Sequence, residues 1–295
     1  MADGLVWEAQ PQLRDPILVA AFEGWNDAGD AASDAADWLI GRARADRFAW
    51  IDSEEHVDYQ SRRPLLHMID GIAESVTWPS TECFAVPFRE RDLVVVRGVE
   101  PNVRWTSFCN AVLTVAGTTG CETVVTLGAL LGDVPHSRPV VVTGTATDPR
   151  MVGELGLARS RYQGPTGIVG VLHDTCQTAG LKSASLWAPV PHYIAAPPNP
   201  LCTRALLERF SVLSGLTLDL AEFDRQIALW RAEVDEAIED NDEVSRYIAE
   251  LEARIDNEAG TEQWSARAAE GDVPNSDKLV QELEQFLRDQ GDSPE

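Results

Sequence analysis

The sequence predicts an α/β protein: a three-layer α/β/α sandwich around a mostly parallel mixed sheet, followed by a helical appendage. Three observations predict it. Short apolar runs alternate with helical patterns of ten or more residues, which requires crossover connections between parallel strands. Runs such as Ile17–Ala21 and Leu93–Val96 are apolar at every position, the pattern of strands covered on both faces. Charge is uneven: of 48 acids and 24 bases, 23 and 7 lie from Asp219 onward (net −16), against 25 and 17 before it (net −8). The chain of 295 residues therefore divides into a core domain, 1–215, and an acidic helical appendage, 216–295.

The first strand is the run Ile17–Ala21, too short for a typical helix and bounded by Pro16 and Gly24. A helix follows over Ala28–Ile40, capped by Asp27 or Asn26, with Asp30 favourably placed at the positive end of its dipole. Less regular strands at Phe48–Ile51, Pro64–Ile69 and Glu82–Val86 suggest an antiparallel edge or excursion, which makes the sheet mixed. Leu93–Val96 begins the second strand–helix unit, its helix running from Asn102 to Ala116. Strands at Thr123–Leu127 and Val140–Thr143, a helix at Ile168–Thr178, a strand at Ser183–Trp187 and a helix at Pro200–Leu213 complete the core. In the appendage, Phe223, Ile227, Trp230, Val234 and Ile238 form one apolar stripe, and Val244, Ile248, Leu251 and Ile255 a second. The polar cluster Glu239–Glu243 between them favours a helical hairpin. A Gly- and charge-rich segment near 258–275 reads as mobile, ahead of a last helix capped by Ser276 with Leu279, Leu283 and Phe286 on one stripe.

In an open parallel sheet, ligands bind beyond the carboxyl ends of the strands, so the loops there are the candidate site. The first carries Glu23, Trp25, Asn26 and Asp27, and the second Glu100, Arg104 and Trp105. The third holds Asp133, His136 and Arg138, and the fourth Trp187, His192 and Tyr193. If the strands are parallel, these loops share one edge. As an enzyme site they would offer His136 or His192 with Glu23, Asp27 or Glu100 for acid–base work, while Arg104 and Arg138 hold an anion. Trp25, Asn26, Trp105, Trp187 and Tyr193 would then line the ligand. The same residues equally suit structure: carboxylates cap helices, arginines lock loops, and aromatic rings fill gaps or subunit interfaces.

Other features narrow the function. A net charge of −24 disfavours nucleic-acid binding, and no apolar run is long enough to span a membrane. The five cysteines are scattered without close pairs, which fits a reducing, cytoplasmic setting. There is no G-x-G-x-x-G, P-loop, His-Glu-x-x-His or G-x-S-x-G, and no compact metal-ligand spacing. Gly164–Pro165–Thr166–Gly167 before a helix could face an anion, but Pro165 donates no amide and a turn is the better use. The sequence calls for neither metal nor cofactor, and it leans away from an enzyme.

Five stretches carry a family resemblance: AFEGWNDAGDAA (Ala21–Ala32), GVEPNVRW (Gly98–Trp105), TLGALLGDVPHSRP (Thr126–Pro139), YQGPTGIVGVL (Tyr162–Leu172) and SLWAPVPHYI (Ser185–Ile194). Together they make the chain resemble the proteasome assembly chaperone 2 family, in its bacterial, actinobacterial branch. The resemblance implies a sandwich like those of purine nucleoside phosphorylases and peptidyl-tRNA hydrolases, assembled as a homo-oligomer, with a trimer expected. It also implies a non-catalytic, assembly-chaperone-like role with a proteasome-related partner. Some archaeal members of that family end in a hydrophobic-Tyr-x motif that inserts into proteasome pockets, whereas this sequence ends Asp292–Ser293–Pro294–Glu295. The alternative is an enzyme acting on a small anionic or nucleoside-like substrate at the strand-end loops. An ATP-dependent carboxylate–amine ligase, a label some members carry, fits less well, because such sites need lysines and this chain has only Lys182 and Lys278.

Overall fold

A computed structural model describes residues 4–148, 158–159, 164–239 and 241–258. Its centre is a nine-stranded mixed sheet. In chain order the strands are β1 (Leu5–Trp7), β2 (Ile17–Glu23), β3 (Asp46–Ile51), β4 (Leu65–Ile69), β5 (Ile72–Thr77), β6 (Thr81–Pro87), β7 (Asp92–Val99), β8 (Thr123–Gly132), β9 (Thr143–Ala146), β10 (Ala158–Arg159) and β11 (Lys182–Pro191). All but β4 and β5 join the main sheet, in the order β1-β3-β6-β7-β2-β8-β11-β9-β10. The four central strands β7, β2, β8 and β11 are parallel, while β1, β3 and β6 form the antiparallel edge that the irregular runs suggested.

The α/β/α layering follows from the pleat. In β2, Ile17, Val19 and Ala21 face one core, and Leu18, Ala20 and Phe22 the other. The first core is covered by helices α1 (Ala31–Gly41) and α4 (Pro200–Ser214), the second by α2 (Trp105–Thr119) and α3 (Ile168–Thr178). Small residues let α1 lie close to the sheet: Ala31, Ala32, Ala35 and Ala36 are all fully buried. All five cysteines are buried free thiols, and burial pushes Cys109 up to about 11 and Cys83 up to about 12.

Several boundaries move for local reasons. The first helix is preceded by a tight turn over Ala28–Asp30, because Gly29 and Asp30 adopt left-handed backbone angles. Helix α2 starts at Trp105 rather than Asn102: Arg104 is left-handed (φ 56°), and the amides of Asn102 and Val103 both donate to the His56 carbonyl. The strand expected at Val140–Thr143 forms at Thr143–Ala146, where the backbone first meets a ladder partner, Trp187. The sequence pattern marks none of β1, β5 and β10. The hairpin β4–β5 stands outside the main sheet, with every strand residue exposed.

The appendage begins with α5 (Glu222–Glu239) and α6 (Asp242–Glu258). Both meet the same short loop: Asp235 reaches His136, and Asp256 reaches Arg138 two residues on. A continuous helix would hold those acids roughly 30 Å apart, so the two helices fold back on each other as a hairpin. Trp230, Val234, Ile238, Val244, Ile248 and Leu251 join Tyr193 and Ile194 in a third apolar cluster, which seats the hairpin on the core. The segment expected to be mobile, the last helix and Lys278 lie outside the described residues, apart from Glu258 at the end of α6.

Candidate functional site

Because β7, β2, β8 and β11 are parallel neighbours, the four loops leave one edge of the sheet in the spatial order second, first, third, fourth. They divide into two groups.

The first group is built around Glu100, just past β7. Its Oε1 accepts from Asn26 Nδ2 at 2.6 Å and from the Ile168 amide at 3.0 Å, and its Oε2 accepts from the Trp25 amide at 3.2 Å. The carboxylate therefore occupies the amino end of α3, the position in which the Gly164–Gly167 turn could have held a foreign anion. Gly167 is required here: a Cβ would lie 2.5 Å from Asn26 Nδ2 and 2.6 Å from Glu100 Oε1. Asn26 is fully buried, and its backbone carbonyl accepts from the Ala129 amide at 2.7 Å, tying the first loop to β8.

Asp27 caps the next helix across the intervening turn. Its Oδ1 accepts from the amides of Ala32 (2.7 Å) and Ser33 (3.2 Å). Burial raises its pKa, against the opposing effect of hydrogen bonds from Ser33 and Ala32. Glu23 is paired with both Arg97 and Arg62, and Arg97 also makes a two-pronged contact with Asp37, both bonds 2.9 Å. Asp34, in the first turn of α1, is pushed up to about 6 by burial and by the nearby charges of Asp30, Asp27 and Asp37. Trp25 projects into solvent with 55% exposure. Arg104 pairs with Glu55, and Trp105 Nε1 donates to the Pro101 carbonyl at 2.7 Å.

The second group is covered by the appendage. His136 is buried between Tyr193 and Trp230. The Tyr193 hydroxyl accepts from the His136 amide at 2.9 Å and lies 3.0 Å from Nδ1, while Nε2 lies 3.0 Å from Asp235. Both ring nitrogens are thus engaged, Nδ1 with the phenol and Nε2 with the Asp235 carboxylate. Arg138 grips Asp256 with two bonds, 2.9 and 2.8 Å, and contacts Glu252 at 3.2 Å. Its hydrogen bond and charge hold the Asp256 carboxyl below its usual range. His192 lies between Tyr193 and Tyr247, with Nδ1 3.4 Å from Asp133. Trp187 lies inside β11 and not in the fourth loop, because the strand runs on to Pro191; it sits over Gly128 of β8, where a Cβ would come within 2.5 Å of the ring.

The edge thus brings Glu23, Asn26, Asp27 and Glu100 together, and separately His136, Arg138, His192 and Tyr193. Sequence reasoning missed the partners that occupy them: Arg62, Arg97, Asp235, Glu252 and Asp256. No local signal could have found these, since the pairs are separated by 39 to 118 positions. Two side-chain oxygens in the first group, Asn26 Oδ1 and Asp27 Oδ2, are buried without a hydrogen-bond partner. Among the described residues, no group of three or more His, Cys, Asp or Glu is placed to hold a metal ion. Nor is any described helix long and apolar enough to cross a membrane.

The sequence profile of the PAC2 family matches residues 21–238. The chain belongs to the PAC2 family. It is similar to the crystal structure of a PAC2 family protein from Streptomyces avermitilis, at 46% identity and a TM-score of 0.73, covering 79% of this chain and 99% of that one. A proteasome-assembly chaperone homologue from Mycobacterium tuberculosis is 42% identical with a TM-score of 0.74, again covering 79% and 99%. A second M. tuberculosis structure, of unknown function, is 28% identical with a TM-score of 0.81 and covers 88% of this chain and 93% of its own. No curated protein matches the chain. Membership agrees with the five stretches that carried the resemblance, four of which supply the strand-end loops.

Proposed function

We propose that this PAC2 family chain is a non-catalytic interaction protein, a cytoplasmic homo-oligomer that acts in the manner of an assembly chaperone on proteasome-related subunits. One observation carries the reading: the polar candidates at the strand ends are engaged in bonds that hold elements together. Glu100 caps α3, Asp27 caps α1, Glu23 joins two arginines, and His136 and Arg138 fasten the appendage. The 42% identical relative described as a proteasome-assembly chaperone homologue supports the partner class. The division into a core, 1–215, and an appendage, 216–295, and a trimer as the oligomer belong to the same proposal.

The test is direct. Unassembled proteasome α and β subunits are mixed with the full chain and followed on native gels. A stable complex with a subunit, or faster appearance of the assembled particle, supports the reading. If no complex forms and assembly is unchanged, the proposal fails.

The enzymatic alternative keeps one specific observation, the unpartnered oxygens of Asn26 and Asp27, which a small polar ligand could satisfy. A metabolite screen by thermal shift addresses it, because a ligand at 100 times its Kd adds about 2.7 kcal/mol. A hit abolished by Asn26→Ala would move the function to this edge. The ligase variant loses ground independently: Lys182 is exposed at the first position of β11, at the opposite edge of the sheet from the four loops.

A further inference from the structure

A cavity at the antiparallel edge of the sheet belongs to neither group of loops. Its origin lies in the width of the sheet. Helices α1 and α4 pack over the parallel centre, whereas β3 lies two strands outside β7. Ile51 and Cys83 turn into the second core, so their neighbours Trp50 and Glu82, paired across β3 and β6, turn to the opposite face. Trp50 joins neither core there, and instead walls a cavity of about 420 Å³, within the size range of small-ligand sites.

The remaining walls come from the connections around it. Asp52 caps the single turn Ser53–Glu55 by accepting from the Glu54 amide at 3.1 Å. The Tyr59 hydroxyl lies 2.8 Å from that of Ser53, and the Tyr59 ring meets Trp78 edge-on at 5.0 Å. Three aromatic rings and three carboxylates thus share one concavity. The base in the lining, Arg47, pairs with Glu8 and Glu82 and lies over the Trp50 ring, 5.3 Å from its centroid. The chain therefore shows within itself what such a face accepts, a guanidinium on a π-surface. Across the cavity Trp78 is 51% exposed, and the exposed Glu54 carboxylate bonds to no described residue.

We propose that this cavity binds an organic cation, an ammonium with apolar substituents or a guanidinium, with its charge at Glu54 and its body against Trp78 and Tyr59. The proposal stands apart from the chaperone reading. The lining selects the charge: an anion would meet three acids, and a neutral aromatic ligand would leave Glu54 without a counter-charge. It also selects the body, since a hydrated metal ion makes no use of the rings, whereas an alkylated cation gains from both. The same group is found on free small molecules and on the arginine and lysine side chains of proteins.

Ligand-observed NMR titrations of the full chain separate these sources. The probes are choline, its uncharged isostere with a tert-butyl group in place of trimethylammonium, and a short peptide carrying one arginine. At least one cation is expected to bind in preference to the isostere. Its affinity should fall about 5-fold in Trp78→Ala and about 2- to 5-fold in Glu54→Gln. Both residues are exposed, so circular dichroism melts should match wild type. Should Trp78→Ala lose its melt, Glu54→Gln decides alone. Choline binding without the peptide supports a free small molecule as the ligand, and peptide binding without choline supports a partner's side chain. Equal binding of the isostere overturns the assignment of charge. Binding of neither cation, or affinities unchanged in the folded variants, overturns the site.

Discussion

Replacing Glu100 by glutamine tests whether this carboxylate is a cap or a reactive group. In the folded chain it accepts three hydrogen bonds, from Asn26 Nδ2, the Ile168 amide and the Trp25 amide. A glutamine has one carbonyl oxygen. In its better orientation it keeps the first two bonds and turns its NH2 towards the Trp25 amide, donor against donor. The two retained bonds also lose their charge assistance, a difference of about 1 kcal/mol each. The expected cost is about 2–3 kcal/mol for Glu100→Gln. For Glu100→Ala it is about 3–5 kcal/mol, because the Asn26 and Ile168 donors are left without an acceptor. Urea unfolding at neutral pH, with the slope checked for constancy, measures both. A variant as stable as wild type, or more stable, refutes the capping argument. It would point the other way, since groups retained at a cost to stability mark functional sites.

Other predictions follow from the same edge and its surroundings. Asp34 has a folded-state pKa of about 6, above its ordinary value of 3.8, so the folded chain holds an extra proton between those limits and loses stability as pH rises through them. Asp34→Asn should therefore melt higher than wild type at pH 8, by about 1–2 kcal/mol after allowance for partial exposure, and match it near pH 4. The opposite order would show that the acidic cluster is not strained. Arg138→Ala removes the grip on Asp256 and Glu252. It should raise hydrogen exchange in α6 about 2- to 5-fold, with the core unchanged. Uniform protection would mean the apolar cluster alone seats the helix. Gly128→Ala should cost about 1–3 kcal/mol by overpacking against Trp187, and Trp187→Leu in the same chain should recover part of it. Additive losses would refute the contact.

Much of the core was legible because its signals are local. Ile17–Ala21 and Leu93–Val96 read as buried strands since every position is apolar, and the stripe Phe223–Ile238 reads as a helix because its period is that of a helix. The shared edge of the four loops followed from strand direction alone. The occupants of those loops did not, since Glu23 with Arg97 or His136 with Asp235 is a product of tertiary folding with no sequence periodicity. Nor was β5 visible: Ile72–Thr77 mixes Glu74 and Ser75 with apolar residues because neither of its faces meets the core of the same chain. The displaced start of α2 has a tertiary origin too: Arg104 takes a left-handed conformation, while the amides just before it are held by the His56 carbonyl. The candidate residues were thus identified as a group, while their division into a capped pair of loops and a covered pair required three-dimensional information.

The parallel centre of the sheet also fixes an order of events at the ribosome. Strand β2 is the first long apolar strand to be made, yet its partners are β7 and β8, beginning at Asp92 and Thr123. At cellular translation rates the gap of roughly 70–100 residues lasts on the order of 5–20 s. Throughout that interval a seven-residue strand with both edges open is in the nascent chain, with nothing of its own to pair with. The appendage that covers the third and fourth loops arrives later still. A strand left open for that long makes the chain, while it is being synthesised, a natural client for holding factors.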